Sequence, residues 1–255
     1  RWPERMFALH PIKAHADRSP ELSLTAMGGE GVFVKELEAA LLDGRIDCAV
    51  HSMKDLPLET SASLRIAAVS AREDPRDALV AHGGRTLDHL PRGSRVGTSS
   101  LRRRSQLLHQ RGDLQVLEIR GNVDTRLRKL DEGRYDAILV AACGLIRLGL
   151  EERITEYLDL ARMLPEPGQG ALAIETRADD EAMCELLGAL DEPFSRACVE
   201  AERAFLRALG GGCRVPIAAC ASCEKGELAL EGAVIAADGT RQLRGTSRGP
   251  MTEPM

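Results

Sequence analysis

The sequence predicts an α/β protein that ends in a small α+β unit, and three observations carry that expectation. From Arg95 to Ala142, short runs of strand formers alternate with helix-periodic segments, as in a sheet whose strands are joined by helical crossovers. Pro165-Glu166-Pro167-Gly168 breaks this rhythm, and two helical segments follow it. The tail from Gly226 to Ser247 alternates in polarity around Ala237-Asp238-Gly239, a hairpin signature.

Taken in chain order, GVFVKELEAALLD (31–43) places Val32, Leu37, Ala40 and Leu41 at helical spacing, and Gly44 stands where a helix end wants a left-handed residue. Residues 46–50 (IDCAV) read as a strand. HSMKDLP follows, and its Pro57 stops the strand, so Lys54 and Asp55 are expected just past the strand's C-terminal end. Arg95–Thr98 is a second strand that runs into Ser99 and Ser100, good N-caps for the helix LRRRSQLLHQR. LQVLEI is the next strand, NVDTRLRKLDEG a helix closed by Gly133, and DAILVAA a wholly apolar strand. These strands are expected to be parallel. An echo between Gly44-Arg45-Ile46-Asp47 and Gly133-Arg134-Tyr135-Asp136 suggests two similar sheets. ALAIETR reads as a strand, EAMCELLGAL as a helix, and Phe194–Leu209 as a longer helix. Residues 70–77 and 165–170 are the candidate crossings between lobes.

With 255 residues and 44% hydrophobic content the chain can bury a real core. A net charge of -5 excludes a generally basic protein, but Arg85–Lys129 holds eleven Lys or Arg against four Asp or Glu, which points to a local anion site. Seven aromatics, none interleaved with these arginines, argue against a nucleic-acid stacking platform. No apolar run reaches the length of a membrane span. Seven cysteines without disulfide-scaffold spacing favour a reducing, cytoplasmic setting.

The arginines recur where strands end. Arg102, Arg103 and Arg104 open a helix beside Thr98, Ser99 and Ser100. Arg120 follows the next strand, Arg126 lies in the first turns after Asn122, and Arg147 follows the third strand. In a parallel sheet these ends share one edge, where ligands bind, so several guanidiniums are expected to line one cleft. Asp55 is expected at the matching edge of the other sheet, kept ionised by Lys54. His51 reads as structural. Cys220-Ala221-Ser222-Cys223 with Cys213 is too incomplete for a zinc centre, so no metal is expected. Cys213 itself follows Gly210, Gly211 and Gly212, which strip away side-chain cover and present the thiol. A lobed anion-binding protein without chemistry is the alternative reading, although it leaves that thiol without a use.

HSMKDLP (51–57), GTSSLRRRSQL (97–107), the stretch from Ile119 to Leu150, GQGALAIE (168–175) and GGGCRVPIAA (210–219) together resemble the porphobilinogen deaminase family. The resemblance implies a cytoplasmic, monomeric transferase that deaminates four porphobilinogen molecules, joins them head to tail and releases hydroxymethylbilane for tetrapyrrole synthesis. It implies a dipyrromethane cofactor on a thioether to Cys213, catalysis by Asp55, and cofactor and substrate contacts from Ser52, Lys54, Thr98, Ser100, Arg102, Arg103, Arg120, Asn122, Arg126, Arg147 and Gln169. It further implies two domains like those of periplasmic binding proteins, 1–70 with 171–188 and 71–170, and a third, cysteine-bearing domain at 189–255. The family's first strand and helix and its last helix are expected to be missing from this chain. Ala14, Ala16 and Glu30 depart from the family pattern.

Overall fold

The computed structural model describes residues 2–12, 34–211 and 215–251. The first helix among the described residues, α1 (Lys35–Leu42), is followed by β1 (Ala49–Ser52), so the strand starts three residues later than the sequence suggests. Closure of the helix is the reason. Gly44 takes φ +69, and the amides of Arg45 and Ile46 both donate to the Ala40 carbonyl, at 2.9 and 3.3 Å. Residues 45 and 46 are thereby committed to the cap.

Three sheets organise the chain. The first has the order β1-β8-β2, with β2 at Leu64–Val69 and β8 at Leu172–Arg177, and both pairings are antiparallel. The second is five-stranded, β5-β4-β6-β3-β7, built from β3 (Asp77–Ala81), β4 (Arg95–Gly97), β5 (Gln115–Leu117), β6 (Ala137–Ala141) and β7 (Glu156–Tyr157). Here β4 is parallel to β5 and β6, joined through α2 (Leu101–Gln110) and α3 (Val123–Asp131). The three strands expected to be parallel are so and form one side of the sheet, while β3, which was not anticipated from sequence, runs antiparallel to β6 and β7. β3 enters from the first crossing instead of from a helical crossover, which frees its direction.

Two apolar clusters sandwich the second sheet. Leu79, Val96, Leu107 and Leu139 pack on one side, and Val80, Leu127, Ile138 and Val140 on the other. Such two-sided burial is why β3 and β6 read as continuous hydrophobic runs. Caps fall where short polar side chains permit. Ser100 accepts from the Arg103 amide at the start of α2, and Asn122 accepts from the Thr125 amide at the start of α3.

Next come α4 (Ala142–Arg147), α5 (Glu181–Gly188) and the long α6 (Pro193–Ala208), which leads to an antiparallel meander of β9 (Ile217–Glu224), β10 (Glu227–Ile235) and β11 (Gln242–Pro250). α6 lies on this third sheet so closely that a Cβ on Gly232 would come within 2.5 Å of Phe205. The β10–β11 turn docks on α2, where His109 Nδ1 and the Gly239 carbonyl lie 2.7 Å apart. Among the described residues no helix is long and apolar enough to cross a membrane.

Candidate active site

The segment after β1 makes a single 3₁₀ turn, Met53–Asp55, and this turn positions Lys54 and Asp55. The second crossing presses on it from the other side, because a Cβ on Gly168 would meet Met53 Cγ at 2.8 Å and the Lys54 amide nitrogen at 3.2 Å. Only glycine fits there at φ +80. Gln169, fully buried, binds both lobes. Its Oε1 accepts from Lys54 Nζ at 3.2 Å and from Arg103 Nη2 at 3.3 Å, and its Nε2 donates to the Pro75 carbonyl at 2.7 Å and to Asp77 Oδ1 at 2.9 Å.

Asp77, at the head of β3, was not anticipated from sequence, and it organises the arginines. Arg102 Nη1 donates to Asp77 Oδ2 at 2.6 Å and to the Leu164 carbonyl at 2.7 Å, while Arg103 Nε donates to Asp77 Oδ1 at 3.0 Å. Burial pushes the Asp77 carboxyl up, but the two guanidiniums outweigh it and hold the group far below the usual carboxylate range. Arg102 and Arg103 are therefore not the open cleft-lining side chains expected. Their side chains are 4% and 6% exposed, and Arg102 Nε is buried without a hydrogen-bond partner. Arg102 is sunk beneath the site as an anchor. Arg103 sits between that anchor and Gln169.

A second group forms on the β5–α3 connection. Arg126 is half-buried and donates from Nε to the Gly121 carbonyl at 2.7 Å, while its amide donates to the Asn122 carbonyl at 3.0 Å. Burial and then the charge of Arg103 lower the Arg126 guanidinium to about 10. Arg120 Nε donates to Glu118 Oε1 at 2.8 Å. Arg147, exposed, does not join either group and donates from Nη2 to the Gly170 carbonyl at the crossing, at 2.6 Å. Thr98 is buried and its Oγ1 accepts from the Ser100 amide at 3.2 Å. Ser52 is half-buried at the end of β1.

Asp55 behaves differently from expectation. Its side chain is exposed, yet the neighbouring protein withdraws the carboxyl from part of its water, and that desolvation raises it above the ordinary range. Lys54 and His51 oppose the rise, and Glu166 adds to it. Lys54 fails to prevail because its ammonium is turned to Gln169. His51 is buried, with Nε2 3.1 Å from Glu175 Oε2 on β8, in keeping with a structural reading. Cys213 lies outside the described residues, as do Ala14, Ala16 and Glu30. Cys220 is buried on β9, and burial followed by the Glu202 charge pushes its thiol up to about 12, so it stays protonated and inert. Among the described residues no group of three or more His, Cys, Asp or Glu is arranged to hold a metal.

A further network, also missed from sequence, joins the lobes. Arg72, on the first crossing, grips Glu202 of α6 with Nη1–Oε1 at 2.6 Å and Nη2–Oε2 at 3.2 Å, and its Nε donates to the Gln169 carbonyl at 2.9 Å. Glu202 accepts also from the amides of Gly168 and Ala221, each at 2.7 Å. Burial works against the Arg72 charge, but Glu202 outweighs it and raises the guanidinium.

The family model for the porphobilinogen deaminase dipyrromethane cofactor binding domain matches residues 2–185, and that for the porphobilinogen deaminase C-terminal domain matches 196–255. A porphobilinogen deaminase of Desulforudis audaxviator is 50% identical over 100% of this chain and 82% of its own length. Another, from Roseiflexus castenholzii, is 52% identical over 97% of this chain and 81% of its own. Among solved structures, the periplasmic VFT2 domain of Bordetella pertussis BvgS aligns over 68% of this chain and 72% of its own, at 19% identity and a TM-score of 0.38. With both family models matched in order and half the residues shared with such relatives, the chain belongs to the porphobilinogen deaminase family.

Proposed function

We propose that this chain uses Asp55 as the catalytic carboxylate and the Arg126–Arg120 face, backed from below by Arg103, as the carboxylate grip of a hydroxymethylbilane synthase. The family activity is a transferase reaction of tetrapyrrole biosynthesis, in which porphobilinogen is deaminated and polymerised on a dipyrromethane. The observation that carries the assignment of roles is Arg126. It is a half-buried guanidinium whose proton affinity is lowered by burial and by the charge of Arg103, and it has no carboxylate partner among the described residues. Acetate and propionate groups supply that partner, so the residues present fit a tetracarboxylate dipyrromethane.

When bound, that cofactor supplies the primer to which pyrroles are added. Arg126, Arg120, Asn122, Ser52, Ser100 and Lys54 hold acid groups in this reading. Arg102, Arg103 and Gln169 act from below, fixing the floor and contributing positive field, with Thr98 bracing Ser100 and Arg147 bracing the crossing. Asp55 in this reading stabilises, when ionised, the positive charge that develops on a pyrrole nitrogen and takes up a proton there. Cys213 is the proposed attachment point, domains at 1–70 with 171–188, 71–170 and 189–255 are the proposed units, and a cytoplasmic monomer is the proposed form. Six unpaired cysteines among the described residues support the reducing compartment.

Asp55→Asn tests the central role. It is expected to leave the mass of two pyrrole units on the purified chain while lowering turnover by about 10²-fold or more. Turnover at the parent rate would remove Asp55 from catalysis, and a parent chain of unmodified mass from cells making porphobilinogen would remove the thioether.

A further inference from the structure

The second crossing carries a carboxylate that the roles above leave unused. Glu166-Pro167-Gly168-Gln169 is a tight turn closed by the Gln169 amide donating to the Glu166 carbonyl at 2.9 Å, with Gly168 at φ +80, the type II pattern of proline second and glycine third. Proline on both sides restricts the Glu166 backbone further. This rigid turn rests on the Met53–Asp55 turn through Gly168 and through the Gln169–Lys54 hydrogen bond. Glu166 itself is half-buried, and its carboxylate has no hydrogen-bond or ion-pair partner among the described residues.

A cleft built to bind acids therefore holds a fixed negative charge near Asp55, and for a purely anionic ligand that arrangement is repulsive. Porphobilinogen is not purely anionic, since it bears two carboxylates and one aminomethyl ammonium. The cationic and anionic poles of the cleft are joined through one residue, because Arg103 Nη2 donates to Gln169 Oε1 and the Gln169 backbone amide closes the Glu166 turn. The two poles complement a zwitterion.

We propose that Glu166 receives the aminomethyl ammonium of incoming porphobilinogen and so selects the substrate by its one positive group, an inference that rests on the cleft being the porphobilinogen site with Asp55 at its centre. In the reaction the C–N bond breaks with its electron pair going to nitrogen. The ammonium leaves as neutral ammonia, and the positive charge passes to the pyrrole ring facing Asp55. No proton is transferred to Glu166. Its contact is made to the bound substrate and persists into the transition state, where the leaving nitrogen still carries much of its positive charge, so its removal acts on capture more than on turnover.

The test compares Glu166→Gln and Glu166→Ala holoenzymes with the parent on porphobilinogen and on its hydroxymethyl analogue, which carries a neutral hydroxyl in place of the ammonium. The expected result is a KM for porphobilinogen raised about tenfold, an unchanged KM for the analogue, and kcat within about twofold on both. An equal rise in KM on both substrates, or no rise on either, overturns the proposal. Asp55→Asn run in parallel separates the two readings: retained turnover in that variant defeats the role of Asp55, whereas the ratio of KM values between the two substrates judges Glu166 by itself.

Discussion

Asp77 has no exposed surface and still carries a full charge, because two guanidiniums and the Gln169 amide surround it. Replacing it with Asn strands Arg102 and Arg103 in the interior, and breaking a buried pair in this way costs about 3–5 kcal/mol. The pH dependence has a definite sign. The folded carboxyl is held below its unfolded value of about 3.9, so the stability it contributes is whole above that pH and drains away as pH falls below it toward the folded value. Denaturant titrations of Asp77→Asn and the parent are expected to show a large gap at neutral pH that narrows by about 1 kcal/mol near pH 3. A gap of the same size at both pH values would contradict the ion-paired state. Asp55 is the opposite case, since its surroundings hold its proton more tightly than water does, which suits the proton-carrying role proposed for it.

The two crossings are where glycine is structurally required. Gly170 takes φ +94, and a Cβ there would stand 2.3 Å from the Glu73 carbonyl oxygen, so Gly170→Ala is expected to cost about 2 kcal/mol or more, read as a lower melting temperature. An unchanged melting temperature would mean that the crossings can part without loss. Local signals of this kind were legible in the sequence: Ser100, Asn122 and Gly44 announced their helix ends because capping is settled within a few residues. The turn bearing Lys54 and Asp55 was legible too, from Pro57. The direction of β3 was not, since it depends on how the chain crosses between lobes. Nor were Asp77 and Glu202 found, although both left a trace. Asp77 opens the apolar run DALVA, and Glu202 shares a helical face with Cys198 and Phe205, positions where a carboxylate needs a buried cation that only the folded chain supplies. The fate of Arg102 was hidden for the same reason.

Glu202 ties together the first crossing, the second crossing, α6 and β9 through Arg72, Gly168 and Ala221. Glu202→Ala removes all of these at once and leaves Arg72 largely buried without its counter-charge, so a loss of about 3–5 kcal/mol is expected in equilibrium unfolding, and a loss under about 1 kcal/mol would show that the junction is dispensable. Chain topology adds a constraint of a different kind. In the first sheet β8 is the middle strand, pairing Ala49 with Glu175 on one side and Leu64 with Arg177 on the other. Until the ribosome has released residues 172–177, β1 and β2 lack the one strand that both pair with among the described residues, whereas the segment from Asp77 to Tyr157 already contains every described strand of its own sheet. During translation the middle of the polypeptide can therefore reach its native pairing first, and the earlier-made edge must wait, apolar side chains uncovered, for a partner that arrives more than a hundred residues later.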